Sequence, residues 1–573
     1  MVSAEIQRIV LLVGLAVVGY LMIRAWNDDY HRPVTVPAVT HAPSVEAPAA
    51  TGGADVPKAD AVTAPRNSDV PEAVTATAPA AEPTGGHVAA PSTDRLIRVD
   101  THALSVWIDR LGGDIVRVQM PRYPLSVDQP DVPYLLLDNG DGRTYVAQSG
   151  LIGRDGPDAS ASRPLYSADA ARYDLSASGG TVVLRADADR AQVEKRLTFT
   201  ADDYLVAMEI TVHNERSTPF EAGLFAQLKR DKSEPFGQTS SRVGPKPYLG
   251  AALTTAPEER YVKLKFESLD DGAYRHDVKG GWIAILQHYF ISAWVADAET
   301  SNHYFGHKKD DGTYVVGYTG PVVQVAPGET GRFGARFYAG PKDQSRLEAL
   351  APNLNLTVDY GFLWWLAVPL FRVLQWFHGV VGNWGVAIIL LTLLVKVVLY
   401  PLSAASYKSM ANMRRVAPQI KRLQERHADD RQKLSQEMMA LYQKEKMNPL
   451  GGCLPMVLQM PVFLSLYWVL FESVELRQSP FFGWIRDLSV MDPYFVLPIL
   501  MGVSMFFQMQ LNPPPPDPMQ ARVMKFMPIV FTVMFLFFPA GLVLYWLVNN
   551  ILSMAQQWLI TRQVEGGQSK SRA

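Results

Sequence analysis

Hydrophobic and polar positions divide the chain into two unlike halves. Up to about Pro352 the sequence is polar and rich in turns, apart from one apolar run near its start. Beyond it, long apolar runs dominate. In the first half, apolar residues recur at every second position. Val206, Met208, Ile210 and Val212 alternate with Ala207, Glu209, Thr211 and His213, and Val193, Lys195, Leu197 and Phe199 nearly repeat the pattern. Period two is the signature of a half-buried strand. Further strand candidates are Leu104–Ile108, Val182–Leu184, Ile283–Val295, Tyr314–Tyr318 and Gly331–Ala339, set apart by turn signals such as Gly112-Gly113, Asn139-Gly140 and Asp311-Gly312. Many short strands without helical spacing predict an all-β sandwich over residues 93–345, long enough to bury a core of its own.

The apolar runs predict helices in a membrane. Ile9 to Ile23 is flanked by Arg8 and Arg24 and is followed by no small-x-small processing site, so residues 1–31 read as a retained anchor. Residues 32–92 are rich in Pro, Ala and Thr with few aromatics; they cannot bury a core and read as a disordered linker. Residues 360–382 carry Trp364, Trp365 and Trp376 together with Arg372 and Pro369, which predicts an amphipathic helix lying in the water–lipid interface. A further span there would invert everything after it. Trp384 to Pro401 is apolar except for Lys396, and about 18 residues at roughly 1.5 Å each approach the ~30 Å hydrocarbon core.

A charged helical hairpin follows over residues 404–447, with a break at His427-Ala428-Asp429-Asp430 and cations that include Arg414, Arg415, Lys421, Arg422 and Arg426. Asn448-Pro449 and Asp492-Pro493 read as helix starts, opening apolar stretches that run to Phe471 and Leu511. Asn512 to Pro518 is a helix-forbidding linker, and Phe526–Phe538 and Leu542–Ile560 complete the set. Phe526–Phe538 covers only about 20 Å, short enough to thin the bilayer around it. The fold class expected is therefore a multi-domain membrane protein: a six-span α-helical bundle (core 383–563) with a cytoplasmic hairpin, a large β-sandwich outside, and a tail at 564–573. The excess of Lys and Arg on the hairpin places it, and both termini, in the cytoplasm.

Composition adds mostly exclusions. Net charge is −2, so overall charge names no partner, and the single cysteine, Cys453, permits neither a disulfide framework nor a CxxC metal site. The chain has no GxxxxGK[ST], HExxH or GxSxG, so it carries no recognisable NTPase, zincin or hydrolase site; no catalytic residue, metal or cofactor is expected. The chemistry left is Lys396. A charge inside a span either faces a polar cavity or snorkels to the interface, and both fates are open for this side chain. Thr392 lies one turn away on the same face, and Gln459, Gln508, Asn549, Asn550, Gln556 and Gln557 place further polar groups in the spans. Together they point to a hydrated groove that admits polar polypeptide. Two other readings stand beside it: a small-solute transporter, for which paired repeats are lacking, and a membrane-anchored sugar-binding module built on the β domain and its histidines.

The run NPLGGCLPMVLQMPVFLSLYWVLFESVELRQ (Asn448–Gln478) resembles the YidC family of membrane protein insertases. So do SQEMMALY (Ser435–Tyr442), DPYFVLPILMGVSMFFQ (Asp492–Gln508), DPMQ (Asp517–Gln520) and FPAGLVLYWLVNN (Phe538–Asn550). The resemblance is dense from about Tyr360 to Gln563. It implies insertion and folding of inner-membrane proteins, alone or beside the Sec translocon. It also implies a β domain in the periplasm, similar in fold to sugar mutarotases but without catalysis. Partners implied are nascent inner-membrane proteins, membrane lipid, and the ribosome or signal-recognition machinery; no nucleic-acid sequence is read. The family's groove carries a cation, typically Arg, and the matching position here is Lys396, which lacks the planar guanidinium fork. Client-contacting positions carry over to Met460, Pro461, Tyr545 and Trp546.

Overall fold

The computed structural model describes residues 93–140, 142–159, 163–188, 190–237, 247–427, 430–444, 454–512 and 518–569. The expected anchor and linker, the Asn448-Pro449 start, Cys453, most of the proline linker and the end of the tail lie outside them. The chain divides into a strand-rich unit ending at Thr357 and a helical unit from Val358 onward.

Among the described residues the strand-rich unit contains an 11-stranded and a 9-stranded sheet. Its strands are built as the alternation predicts. In Ala191–Phe199 every second residue is buried, and Ile210 faces Lys195 on one neighbour and Phe333 on the other. The expected single strand Ile283–Val295 is instead two, Trp282–Leu286 and Phe290–Val295, paired as a hairpin whose reversal is closed by Gln287 N–H donating to Phe290 O at 2.9 Å. Polar side chains tie the sheets across the core: Trp294 Nε1 donates to Gln227 O at 3.0 Å, and the Tyr134 hydroxyl donates to Gln287 Oε1 at 2.9 Å. Lys195 points inward and is fully buried, its Nζ donating to Gly112 O (3.1 Å) and Ser149 O (3.0 Å). Beside it Arg163 bridges Asp114 and Asp158. Burial pushes the Lys195 amine down to about 8, with Asp114 pulling part-way back. Among the described residues this unit also has two short α-helices, α1 (Phe266–Asp271) and α2 (Gln344–Leu350).

The helical unit holds α3 (Trp364–Val381), α4 (Trp384–Val398), α5 (Tyr400–Arg426), α6 (Arg431–Lys444), α7 (Leu454–Glu472), α8 (Val496–Gln510), α9 (Pro518–Phe535) and α10 (Ala540–Ser569). Gly382 ends α3 in the left-handed region (φ 66°), donating to His378 O at 2.7 Å, and a β-carbon there would be strained. The chain turns at once into α4, capped by Asn383 Oδ1 accepting from Val386 N at 3.0 Å, while His378 stacks on Trp384 with ring centres 4.0 Å apart. Helix α10 packs against α4, α5, α7 and α8, and α8 against α9.

Three helix expectations need correction. Trp384–Pro401 is not one continuous rod: α4 stops at Val398, and the chain bends by 68° into α5, where Pro401 lies in the first turn. Proline lacks the N–H that would continue the α4 ladder, but fits a helix start. Second, Phe526–Phe538 is not a short helix, because α9 begins at Pro518 and runs 18 residues; thinning by a truncated span has no basis here. Third, α8 begins three residues after Pro493. Asp492, fully buried, accepts from Tyr494 N (3.0 Å) and Leu497 N (2.7 Å), and Phe495 takes a left-handed φ of 56° before the helix opens. Among the described residues no single helix is long and apolar enough to cross a membrane by length and composition; α4 with residues Tyr400–Ala411 of α5 meets that test as a bent pair.

Candidate functional site

Lys396 lies in the last turn of α4 and is only 7% exposed. Its ammonium is held between helices distant in sequence. Nζ donates to Ser553 Oγ on α10 at 2.7 Å and to Gln459 Oε1 on α7 at 3.3 Å. Gln459 Nε2 in turn donates to Asn549 Oδ1, and Ser553 Oγ donates to Asn549 O at 2.7 Å. The Tyr407 hydroxyl of α5 lies beside Ser553, and the Tyr545 hydroxyl of α10 beside Gln459. Four helices thus meet at one polar cluster. Among the described residues no carboxylate pairs with the ammonium. A buried cation with neutral partners keeps a strong attraction for an incoming anion, because its surroundings screen it poorly.

The other expected residues distribute unevenly around this centre. Thr392, one turn before Lys396, is 1% exposed, but its hydroxyl donates to Ile388 O at 2.7 Å within its own helix. Met460 follows Gln459 on α7 and is 45% exposed, with Pro461 half-buried next to it. Tyr545 is 2% exposed and so does not offer a surface, while Trp546 is half-buried among Phe463, Phe531 and Phe535, at ring-centre distances of 4.4, 6.1 and 5.2 Å. Gln508 sits on α8, outside the set around Lys396; the link from α10 to α8 is made instead by Asn550 Nδ2 donating to Ser504 Oγ at 3.1 Å. Ser553 and Tyr407 were not singled out from the sequence. Ser553 lies four residues beyond Asn549, on the same helical face, but a serine in an apolar helix carries no signal of its own.

The hairpin cations sit elsewhere. Arg414, Arg422 and Arg426 lie on α5, with Arg414 Nη2 donating to Gln510 O at 3.4 Å; Arg415 and Lys421 are on the same helix with side chains outside the described residues. The break at His427 is present, and His427 Nε2 lies 3.2 Å from Glu437 Oε2 across the hairpin. In the strand-rich unit a depression of about 470 Å³ lies on the solvent face of the 9-stranded sheet, with Ala207 and Gly334 among its residues and the opposed charges Arg196, Arg336, Glu209 and Asp297 around them. It contains no histidine. Among the described residues no three His, Cys, Asp or Glu side chains are placed to hold a metal ion.

Comparison with known proteins identifies the family. The family model described as the 60Kd inner membrane protein matches residues 376–568, and that of the YidC periplasmic domain matches residues 96–373. The membrane protein insertase YidC of Ectopseudomonas mendocina (strain ymp) is 49% identical over 603 residues, covering 99% of this chain and all of its own. That of Stutzerimonas stutzeri (strain A1501) is 52% identical, covering 98% and 99%. A crystal structure of an active YidC insertase with the first transmembrane domain resolved aligns over 80% of this chain and 92% of its own at 16% identity, with a TM-score of only 0.35. On the two domain matches and the full-length identity of about one half, this chain belongs to the YidC family of membrane protein insertases.

Proposed function

We propose that this chain inserts membrane proteins into the bacterial inner membrane, and that the Lys396 cluster receives the hydrophilic segment of the client. The observation that carries the reading is a buried ammonium held by Ser553 and Gln459 with no acidic partner among the described residues. An acidic client tail supplies the missing anion. Met460, Pro461 and Trp546 offer the apolar surface along which the client helix leaves, and water-to-lipid transfer of about 20 apolar residues drives the step. The membrane potential adds about 2.3 kcal/mol per charge per 100 mV for acidic tails. No nucleotide is needed.

The topology belongs to the same proposal. The anchor in 1–31 and five segments within 383–563 cross the membrane, with α4 bent into α5 at the cytoplasmic side. The hairpin 404–447 and both termini face the cytoplasm, where Arg414, Arg415, Lys421, Arg422 and Arg426 capture a ribosome or targeting factor. The β unit stands in the periplasm, α3 lies in the outer interface, and the Sec translocon is a partner for larger clients. The test is insertion of clients with acidic or neutral tails by Lys396→Arg and Lys396→Ala. The arginine variant keeps insertion and the alanine variant loses it for acidic tails alone. Equal insertion of acidic-tailed clients by both variants removes the charge from the mechanism.

A further inference from the structure

The loop joining α7 to α8 hides some of its apolar side chains and turns others outward. Leu476, Ile485 and Leu488 are buried, whereas Phe482 is 63% and Tyr494 67% exposed, with Val490 and Met491 also outward. A loose polar loop would not hold such residues in water. This loop is firmly held. Asn383 Nδ2, at the start of α4, donates to Pro480 O and Phe481 O, both at 3.3 Å. The Phe481 ring lies against Gly385, where a β-carbon would collide with it. Ala540 N–H donates to Val490 O at 2.7 Å and Gly541 N–H to Leu488 O at 2.9 Å, which ties the loop to the start of α10. Trp484 Nε1 donates to the buried Asp492 Oδ1 at 2.9 Å, fixing that ring beside the Met491–Tyr494 turn. The outward rings are therefore presented by a rigid base.

Their surroundings identify what covers them. From Tyr494 the exposed apolar surface is taken up at one-turn spacing along one face of α8, at Ile499, Val503 and Phe507, with Leu497 and Met501 buried on the other. The loop lies at the end of the unit opposite the basic hairpin, since it joins the end of α7, the starts of α4, α8 and α10, and the turn after α9. Trp and Tyr, with a polar edge and an apolar body, favour the headgroup layer of a bilayer, while deeper apolar side chains meet the acyl chains. We propose that residues 480–495 form an interfacial foot that seats Phe482, Trp484 and Tyr494 in the headgroup region of the outer leaflet and so sets the depth of α7, α8 and α10. The proposal rests on the reading that α8 faces lipid.

The test uses the full-length chain carrying Cys453→Ser and one new cysteine at a time: Phe482→Cys, Tyr494→Cys, or Val503→Cys on α8. Each is labelled with an environment-sensitive fluorophore and reconstituted into liposomes of phosphatidylethanolamine and phosphatidylglycerol; client insertion at the parent level shows that each variant is folded. Labels at 482 and 494 are expected to be quenched by doxyl groups near the headgroup, more than by doxyl groups near the chain end, and to be shielded from aqueous iodide. The label at 503 is expected to show the opposite depth preference. Quenching of 503 by deep doxyl groups, with no lipid quenching at 482 and 494, overturns the foot alone. Shielding of 482 and 494 from iodide without lipid quenching also overturns it, because a protein surface then covers the rings. Absence of deep quenching at 503 overturns the lipid-facing reading of α8, and the foot with it.

Discussion

Replacing Lys396 by Met should make the folded protein more stable while damaging its work. The two side chains have similar length, so packing in the last turn of α4 survives. Lys396 is 7% exposed, and its effective desolvation penalty is several kcal/mol per buried ion. Its hydrogen bonds to Ser553 at 2.7 Å and Gln459 at 3.3 Å return about 1.5–3 kcal/mol each at best, and the longer one less. After substitution Ser553 keeps its bond to Asn549 O at 2.7 Å, so it loses only an accepted proton. Gln459 is half-buried and keeps its own bond to Asn549, so it too loses only an accepted hydrogen bond. The balance is a gain of about 1–3 kcal/mol, or roughly 2–4 °C per kcal/mol for a unit of this size. Thermal unfolding of the purified chain in detergent, followed by the helical unit's circular dichroism, reads the gain. Insertion of an acidic-tailed client by the same preparation should fall by one to two orders of magnitude, since an ion pair near 4 Å at an effective dielectric of about 20 is worth up to about 4 kcal/mol before the client carboxylate is desolvated. A Lys396→Met protein that melts lower than the parent would refute the reasoning, because the ammonium would then be part of the scaffold rather than an uncompensated charge.

Other consequences follow from the same contacts. Ser553→Ala removes the 2.7 Å acceptor from Lys396 and should give an insertion defect for acidic tails smaller than that of Lys396→Ala, with neutral-tailed clients unaffected in the same assay. Gly502→Ala places a β-carbon into the Thr532 side chain at the α8–α9 contact, so it should lower the melting temperature by an amount corresponding to about 1–3 kcal/mol, and Thr532→Ala in the same chain should recover most of it. In the β unit, Lys195 has a folded-state value near 8, below the 10.5 of the free side chain. The unfolded chain therefore holds more protons between those values, and the unit's urea midpoint should rise as pH is raised from about 8 to about 10.5; Lys195→Met should flatten that rise.

The strands that show through the sequence are those buried on one face. Ala191–Phe199 and Leu205–Asn214 alternate, and even the inward Lys195 keeps the phase. Phe220–Arg230 is invisible to the same reading because it lies between Arg143–Ile152 and Tyr314–Thr319 with both faces covered, so polar Gln227, Lys229 and Arg230 are buried along with the apolar residues. Its partners are distant in sequence, and no local pattern encodes that pairing. Asp114–Ser126 is likewise absent from the expected strands; it contains Pro121 and Pro124, and prolines are tolerated where the ladder does not need their N–H.

At the candidate site, Lys396, Thr392 and Gln459 stand out as polar residues in apolar runs. Ser553 does not, because a serine in an apolar helix ordinarily satisfies itself on a carbonyl one turn back, as this one also does. Its second role, accepting from Lys396, exists only once α4 and α10 meet. Tyr545, expected from the family resemblance to touch the client, is buried, with its hydroxyl beside Gln459.

The central claim is that a client carboxylate comes to the Lys396 ammonium, and zero-length carbodiimide coupling tests it most directly. A nascent chain stalled during insertion, bearing a single aspartate in its hydrophilic tail, should form an amide with Lys396, identifiable by mass spectrometry. The adduct should vanish in Lys396→Arg, whose guanidinium does not couple, while insertion by that variant continues. Coupling of the tail to other lysines only, in a complex that still inserts its client, would contradict the account.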